Sequence, residues 1–284
     1  MKLVAIQQYK RIIKQTMLSS ELFPTETDFI PDDELLHDQQ AQIQLFAYAM
    51  EAFQEPNLPY HNWEWHIKTS YQEAHRLFNE YQEKKAPEQP DADLLVIAFA
   101  VIGHDSGYSH FKTADELKVV RGFDSKEQYS CHITEINMLS LDFGPDIIDK
   151  VKTCIMATKL GEDCPSIEAV ITRRSDLFNI AGQDYGVFKE ATKNFRLEVE
   201  TWNNNGKPIS IADFVRSSWP ILNEYTRNDI KLYPSDKHPL GTSRFLASFY
   251  LNMNRLMIEC GVAVSEEVVT FIKRLIHRTD SEVS

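Results

Sequence analysis

The segment Leu94-Leu95-Val96-Ile97-Ala98-Phe99-Ala100-Val101-Ile102 is apolar at every position and runs directly into Gly103-His104-Asp105. An element with no polar face has no place on a protein surface, so this stretch predicts the central element of a fold. It is also only about half the ~20 residues a membrane span requires. An ionisable pair at the end of such an element stands at the floor of a pocket. The same dipeptide occurs at His37-Asp38, but among Gln39, Gln40, Gln42 and Gln44, where a solvated helix face is expected.

Around this core the chain reads as helix. Ten glycines and 12 prolines are few for 284 residues, and a β-rich chain spends more of them on turns. No window alternates cleanly enough to argue for a sheet. Apolar spacing predicts helices over residues 1–19 and 35–53, on either side of the Pro24 to Pro31 break. Tyr60 to Lys85 contains neither Gly nor Pro and predicts one long helix. Gly103 to Phe123 predicts a loop, with a short helix capped by Thr113 and Glu116. Ser125 and Gln128 form a second capping signal for a helix to about Leu141, and Pro145 starts another to about Lys159. Further helices are expected from Pro165 or Ser166 to Ala181, from Tyr185 to Trp202, and over 209–231, 243–259 and 265–278. The Asn203-Asn204-Asn205-Gly206 cluster is the clearest internal boundary. The expected organisation is 1–50 as N-terminal helices, 51–205 as the core and 206–284 as a helical extension of the same globule.

Charge and cysteine usage narrow the function classes. Thirty Lys+Arg against 42 Asp+Glu leave a net charge of −12, which opposes broad contact with duplex nucleic acid or an anionic membrane. Cys131, Cys154, Cys164 and Cys260 have no CxxC spacing and read as reduced thiols of a soluble cytoplasmic protein. The apolar stretches of Met1 to Lys10 are too short for the hydrophobic region of a signal peptide. The sequence admits a homo-oligomer.

Three stretches carry chemistry: Pro59-Tyr60-His61-Asn62-Trp63-Glu64-Trp65-His66, His104-Asp105, and Arg173-Arg174-Ser175-Asp176-Leu177-Phe178. A divalent cation accepts imidazole nitrogens and carboxylate oxygens, and two carboxylates neutralise it, so His66, His104, Asp105 and Asp176 make a neutral set. Four ligands on an octahedral ion leave two positions for water and a substrate oxygen, which is the arrangement hydrolysis requires. The competing structural readings are a surface histidine for His66, as for His75, and a buried pair of Asp176 with Arg173 or Arg174. Trp63 and Trp65 are expected in the core.

The order His66, His104-Asp105 after an apolar helix, and Asp176 in a Ser-Asp-Leu context resembles the HD superfamily of metal-dependent phosphohydrolases. Tyr60-His61-Asn62-Trp63 is similar to the opening found in bacterial HD hydrolases and cyclic-nucleotide phosphodiesterases. Lys126-Glu127-Gln128-Tyr129-Ser130 and Ile155-Met156-Ala157-Thr158 also resemble family segments. The similarity spans roughly residues 58–182. It implies an all-α, HD-domain-like bundle with extra helices at both ends. It also implies His66, His104, Asp105 and Asp176 as ligands of one divalent ion (Mn, Fe, Ni, Co, Zn or Mg).

The implied activity is hydrolysis of a phosphoester in a nucleotide or other small phosphorylated metabolite, by water activated at the ion. Asp105 or Glu127 would orient the water and His61 would protonate the leaving oxygen; Lys68, Lys112, Arg121 and Lys159 are candidate phosphate-binding cations. His61 and His66 are five residues apart, about 140° around an α-helix, so an extra residue must be absorbed near the helix start or His61 points elsewhere. Only His110 and His132 are available as further ligands, and Lys126 stands where many relatives have His, which favours a single ion over two. A two-iron oxygenase is disfavoured for the same reason. The alternative is a non-catalytic or regulatory HD-fold protein whose added helices bind a partner.

Overall fold

In a computed structural model the described residues are 37–50, 58–108, 122–178, 184–202, 206–232, 243–263, 266 and 270. The expectations for residues 1–19, the Thr113 to Glu116 cap, the Ala181 end and the 265–278 helix fall wholly or largely outside them. Every regular element among the described residues is helical. The α-helices are α1 (His37–Ala49), α2 (Lys68–Lys84), α3 (Leu94–Gly103), α4 (Lys126–Ser140), α5 (Pro145–Ala157), α6 (Ile167–Asp176), α7 (Tyr185–Trp202), α8 (Ile211–Leu232) and α9 (Ser243–Glu259). A π-helical turn, Trp63–Ile67, precedes α2, and a 3₁₀ turn, Ser106–Tyr108, follows α3. The all-helical class is as the sequence predicts.

These residues form two compact units, one within Met1–Asn79 and Asp91–Asp176, the other within Glu80–Pro90 and Leu177–Ser284. In the first, all ten residues of α3 are buried. Its start is fixed by Asp93, whose Oδ1 accepts from the backbone N–H groups of Leu95 and Val96, two donors a helix cannot satisfy internally. α5, α6, α1 and α4 surround it, and Phe99 meets Phe46 of α1 edge-on at 4.8 Å. At its last residue, Gly103, a Cβ would collide with the Thr134 side chain of α4, so only glycine permits this approach of the two helices. The second unit packs α7, α8 and α9 around Phe188, Val215, Phe249, Met253 and Leu256. Trp219 stacks on Phe249 with centroids 5.9 Å apart.

Two expectations are corrected. Tyr60 to Lys85 is not one α-helix. Asn62 is the N-cap, its Oδ1 accepting from Trp65 N–H at 2.9 Å, and the first turn is wide, with the N–H of Ile67 reaching the Asn62 carbonyl at 3.1 Å. His75 is not a surface residue: it is buried, with its Nε2 3.0 Å from the Tyr71 hydroxyl. Among the described residues no helix is long and apolar enough to cross a membrane.

Candidate metal centre

His66, His104, Asp105 and Asp176 converge on one point, each offering a ligand atom within 4.8 Å of the others. Each arrives there for a local reason. His66 lies near the end of the π turn, where the chain runs directly into α2, and its side chain is buried. His104 caps α3, and its Nδ1 stands 2.7 Å from the Val101 carbonyl oxygen. A carbonyl can only accept, so Nδ1 carries the proton and Nε2 is left with its lone pair directed into the cluster. This contact is the typical device for orienting a ligating imidazole.

Asp105 opens the turn that follows. Its carbonyl accepts from Tyr108 N–H at 3.0 Å, and Gly107 N–H donates to Ser130 Oγ of α4 at 2.9 Å, fastening the turn to that helix. Asp176 ends α6, whose Arg173 donates to the carbonyl of Ala157, the last residue of α5, and to that of Glu162 in the loop beyond it. Arg173 thus fixes the α5–α6 corner, while Asp176 reaches the two histidines instead.

The donor set is unusual for a cluster of hydrogen bonds. His66 Nε2 and His104 Nε2 are each 2.9 Å from Asp105 Oδ2 and 3.2 Å from Asp176 Oδ1, and 3.1 Å from each other. Yet Asp105 Oδ2 is buried with no partner in hydrogen-bonding geometry. His104 Nε2 meets His66 Nε2 and Asp176 Oδ1 in hydrogen-bonding geometry, and four electron-pair donors crowded on one centre suit a cation placed among them. A buried carboxylate without such compensation is costly. The residues therefore fit a divalent metal ion with mixed N and O ligands. The side chain of Asp176 is 18% exposed whereas His66, His104 and Asp105 are at 2% or less, so solvent approaches from the Asp176 side.

Electrostatics agree with this reading. Burial opposes protonation of His104, but the Asp105 and Asp176 carboxylates outweigh it and raise the imidazole to about 10; His66 is raised in the same way. Burial likewise opposes ionisation of the two carboxylates, and the neighbouring cations prevail, His104 foremost, holding Asp105 and Asp176 well below the ordinary range. Positive charge is what this cluster selects, as protons when no metal is bound.

His61 precedes the N-cap, so the helical wheel does not govern its direction. Its ring lies 5.1 Å from that of His66, stacks on Tyr108 at 4.3 Å, and brings Nε2 to 3.6 Å from Asp105 Oδ2. Lys126 forms an ion pair with Asp105 Oδ1, and Glu127 Oε1 is 3.5 Å from the Lys126 ammonium. Lys68 pairs with Glu64 at 3.7 Å and Lys159 with Glu162 at 3.1 Å. His110, Lys112 and Arg121 lie outside the described residues. His132 is exposed, its ring 5.3 Å from that of Phe123. Tyr108 and the Lys126–Asp105 pair are contacts that sequence reasoning did not anticipate. The sequence marked Lys126 as the first residue of the Lys126-Glu127-Gln128-Tyr129-Ser130 segment, just inside the Ser125 cap, but not as a partner of Asp105.

Comparisons with protein-family models, with curated proteins and with solved structures find no match.

Proposed function

We propose that the chain is a metal-dependent phosphohydrolase of the HD type, cleaving a phosphoester of a nucleotide or other small phosphorylated metabolite. The observation that carries this reading is the convergence of His66, His104, Asp105 and Asp176, which lie in three separate stretches of chain, on one buried centre. Their order along the chain and their placement on helices support the HD-type assignment. A divalent ion held there would acidify a water and polarise a phosphoryl oxygen.

The chain's own residues supply the rest. His66 and His104 present neutral nitrogens, and Asp105 and Asp176 supply the two negative charges that a divalent ion requires. The partly exposed Asp176 marks the side from which substrate and water enter. Water adds to phosphorus as the ester P–O bond breaks, and the departing oxygen needs a proton. His61, held by its stacking on Tyr108 beside Asp105, is the group assigned to donate it.

The test is a screen of nucleotides and sugar phosphates with Mn, Mg, Co, Ni and Zn. Phosphate release by the wild type that disappears in Asp105→Ala supports the proposal. Release no faster than that of the variant on every substrate and metal overturns it, and leaves the regulatory alternative.

A further inference from the structure

Asp105 has two oxygens facing two kinds of cationic surroundings. Oδ2 looks toward His66 and His104, and Oδ1 is held by the Lys126 ammonium. We infer that Lys126 is a built-in second cation of the site, which confines Asp105 to one coordinating oxygen and limits the centre to a single divalent ion. The inference rests on the metal-dependent reading above and adds to it the contact by which Lys126 holds the site to the single ion expected from the sequence.

An ammonium has three N–H donors, and here each has a direction. One meets Asp105 Oδ1, one faces Glu127 Oε1 at 3.5 Å, and the Tyr108 ring lies under the nitrogen with its centroid at 4.6 Å. The ammonium is hydrogen-bonded to Asp105 and enclosed by Glu127 and the Tyr108 ring, so Lys126 serves the carboxylate and not the substrate. Its position is also rigid. The Gly107 N–H to Ser130 Oγ bond ties the Asp105 turn to the first turns of α4, and a Cβ on Gly107 would strike the Lys126 carbonyl.

A second divalent ion would need Asp105 Oδ1 as a bridge, and the ammonium both covers that oxygen and repels the ion. Among the described histidines His61 stands close enough to serve a second ion, its Nε2 3.6 Å from Asp105 Oδ2, so the ammonium and not a shortage of donors sets the limit. His75 is engaged with Tyr71, and His132 lies on the exposed side of α4.

The experiment measures bound metal in the full-length chain dialysed against excess Mn(II), with Mn EPR to detect exchange-coupled pairs. Wild type and Lys126→Arg should hold one ion per chain with an uncoupled spectrum. Lys126→Glu, which exchanges the cation for a carboxylate beside Asp105 Oδ1, should take up a second, coupled ion. Lys126→Asp, also suited to the first turn of a helix, takes its place if the Glu variant does not fold. Two ions in the wild type overturn the inference while leaving the hydrolase proposal intact. So does a folded Lys126→Glu or Lys126→Asp protein that stays at one ion. A wild type that binds no ion overturns both.

Discussion

The Nε2 atoms of His66 and His104 stand 3.1 Å apart, and the Val101 carbonyl has already claimed the Nδ1 proton of His104. In neutral form His104 therefore turns a bare lone pair toward His66 and two carboxylates. That arrangement is stable only around a positive charge, whether a proton or a metal ion.

Binding of a divalent ion to this arrangement should stabilise the fold by mass action. With free ion at a hundred times its Kd the gain is about 2.7 kcal/mol, measured as a shift in denaturant midpoint and reversed by EDTA. His104→Ala and Asp176→Ala each remove a ligand and should weaken binding at least about a hundredfold, beyond the 10–100-fold typical of losing an outer partner. A wild-type midpoint indifferent to Mn, Zn, Co and Ni would contradict the fit.

The metal-free protein should be most stable between about pH 4 and pH 6.5. His104 rises from 6.5 to about 10 on folding, so its contribution is complete below pH 6.5 and is lost as pH climbs toward 10. Asp176 falls below 3.8 on folding, so its contribution is present above that value and is lost in more acidic solution. His66 and Asp105 act in the same senses. The metal-loaded protein should show the opposite trend on the alkaline side, because the ion displaces imidazole protons and binds more tightly as pH rises. Urea titrations from pH 4 to pH 10, with and without Mn, check both curves.

α3 was legible because an element with no polar residue has a single place to go, and α7 and α9 match their expected limits, Tyr185–Trp202 and Ser243–Glu259. The convergence of His66, His104, Asp105 and Asp176 was legible because imidazoles and carboxylates set against apolar helix faces need compensation. The π turn was legible only in part: the five-residue spacing of His61 and His66 asked for an extra residue near the helix start, but nothing in Tyr60 to Lys85 breaks a 3.6-residue period to place it at Trp63–Ile67. The burial of His75 was hidden for a related reason, since its partner, Tyr71, is an ordinary i−4 neighbour until the helix is packed.

Gly103→Ala tests how tightly the site depends on the meeting of α3 and α4. The added methyl group must displace the buried Thr134 side chain, next to the Ile155 side chain and one residue before His104. Overpacking of this kind costs about 1–3 kcal/mol, well beyond the small gain expected from replacing a helical glycine. Denaturant unfolding of the metal-free variant gives the stability term. Gly103→Ala with Thr134→Ala should recover most of the loss, because the clash is with that side chain alone at the closest distance. A variant as stable as the wild type would mean that the helices sit farther apart.

The π turn predicts a deletion phenotype. Glu64 is exposed and belongs to the wide turn. Removing it leaves His66 joined to α2 but shortens the path back to His61 by one residue, converting the turn toward ordinary α geometry. His66 should keep its place, since it lies on the α2 side of the deletion, and metal affinity should change by less than about tenfold, the lower end of the effect of losing an outer partner. His61 should rotate away from Asp105, and turnover of whichever phosphoester is cleaved should fall by about 10²–10⁴-fold, the usual contribution of a general acid. His61→Ala in the intact chain should fall equally, and the deletion combined with His61→Ala should fall no further. Metal titration and steady-state rates of the three variants measure this. A deletion variant that loses the ion, or one that His61→Ala impairs again, would show that the wide turn positions His66 rather than His61.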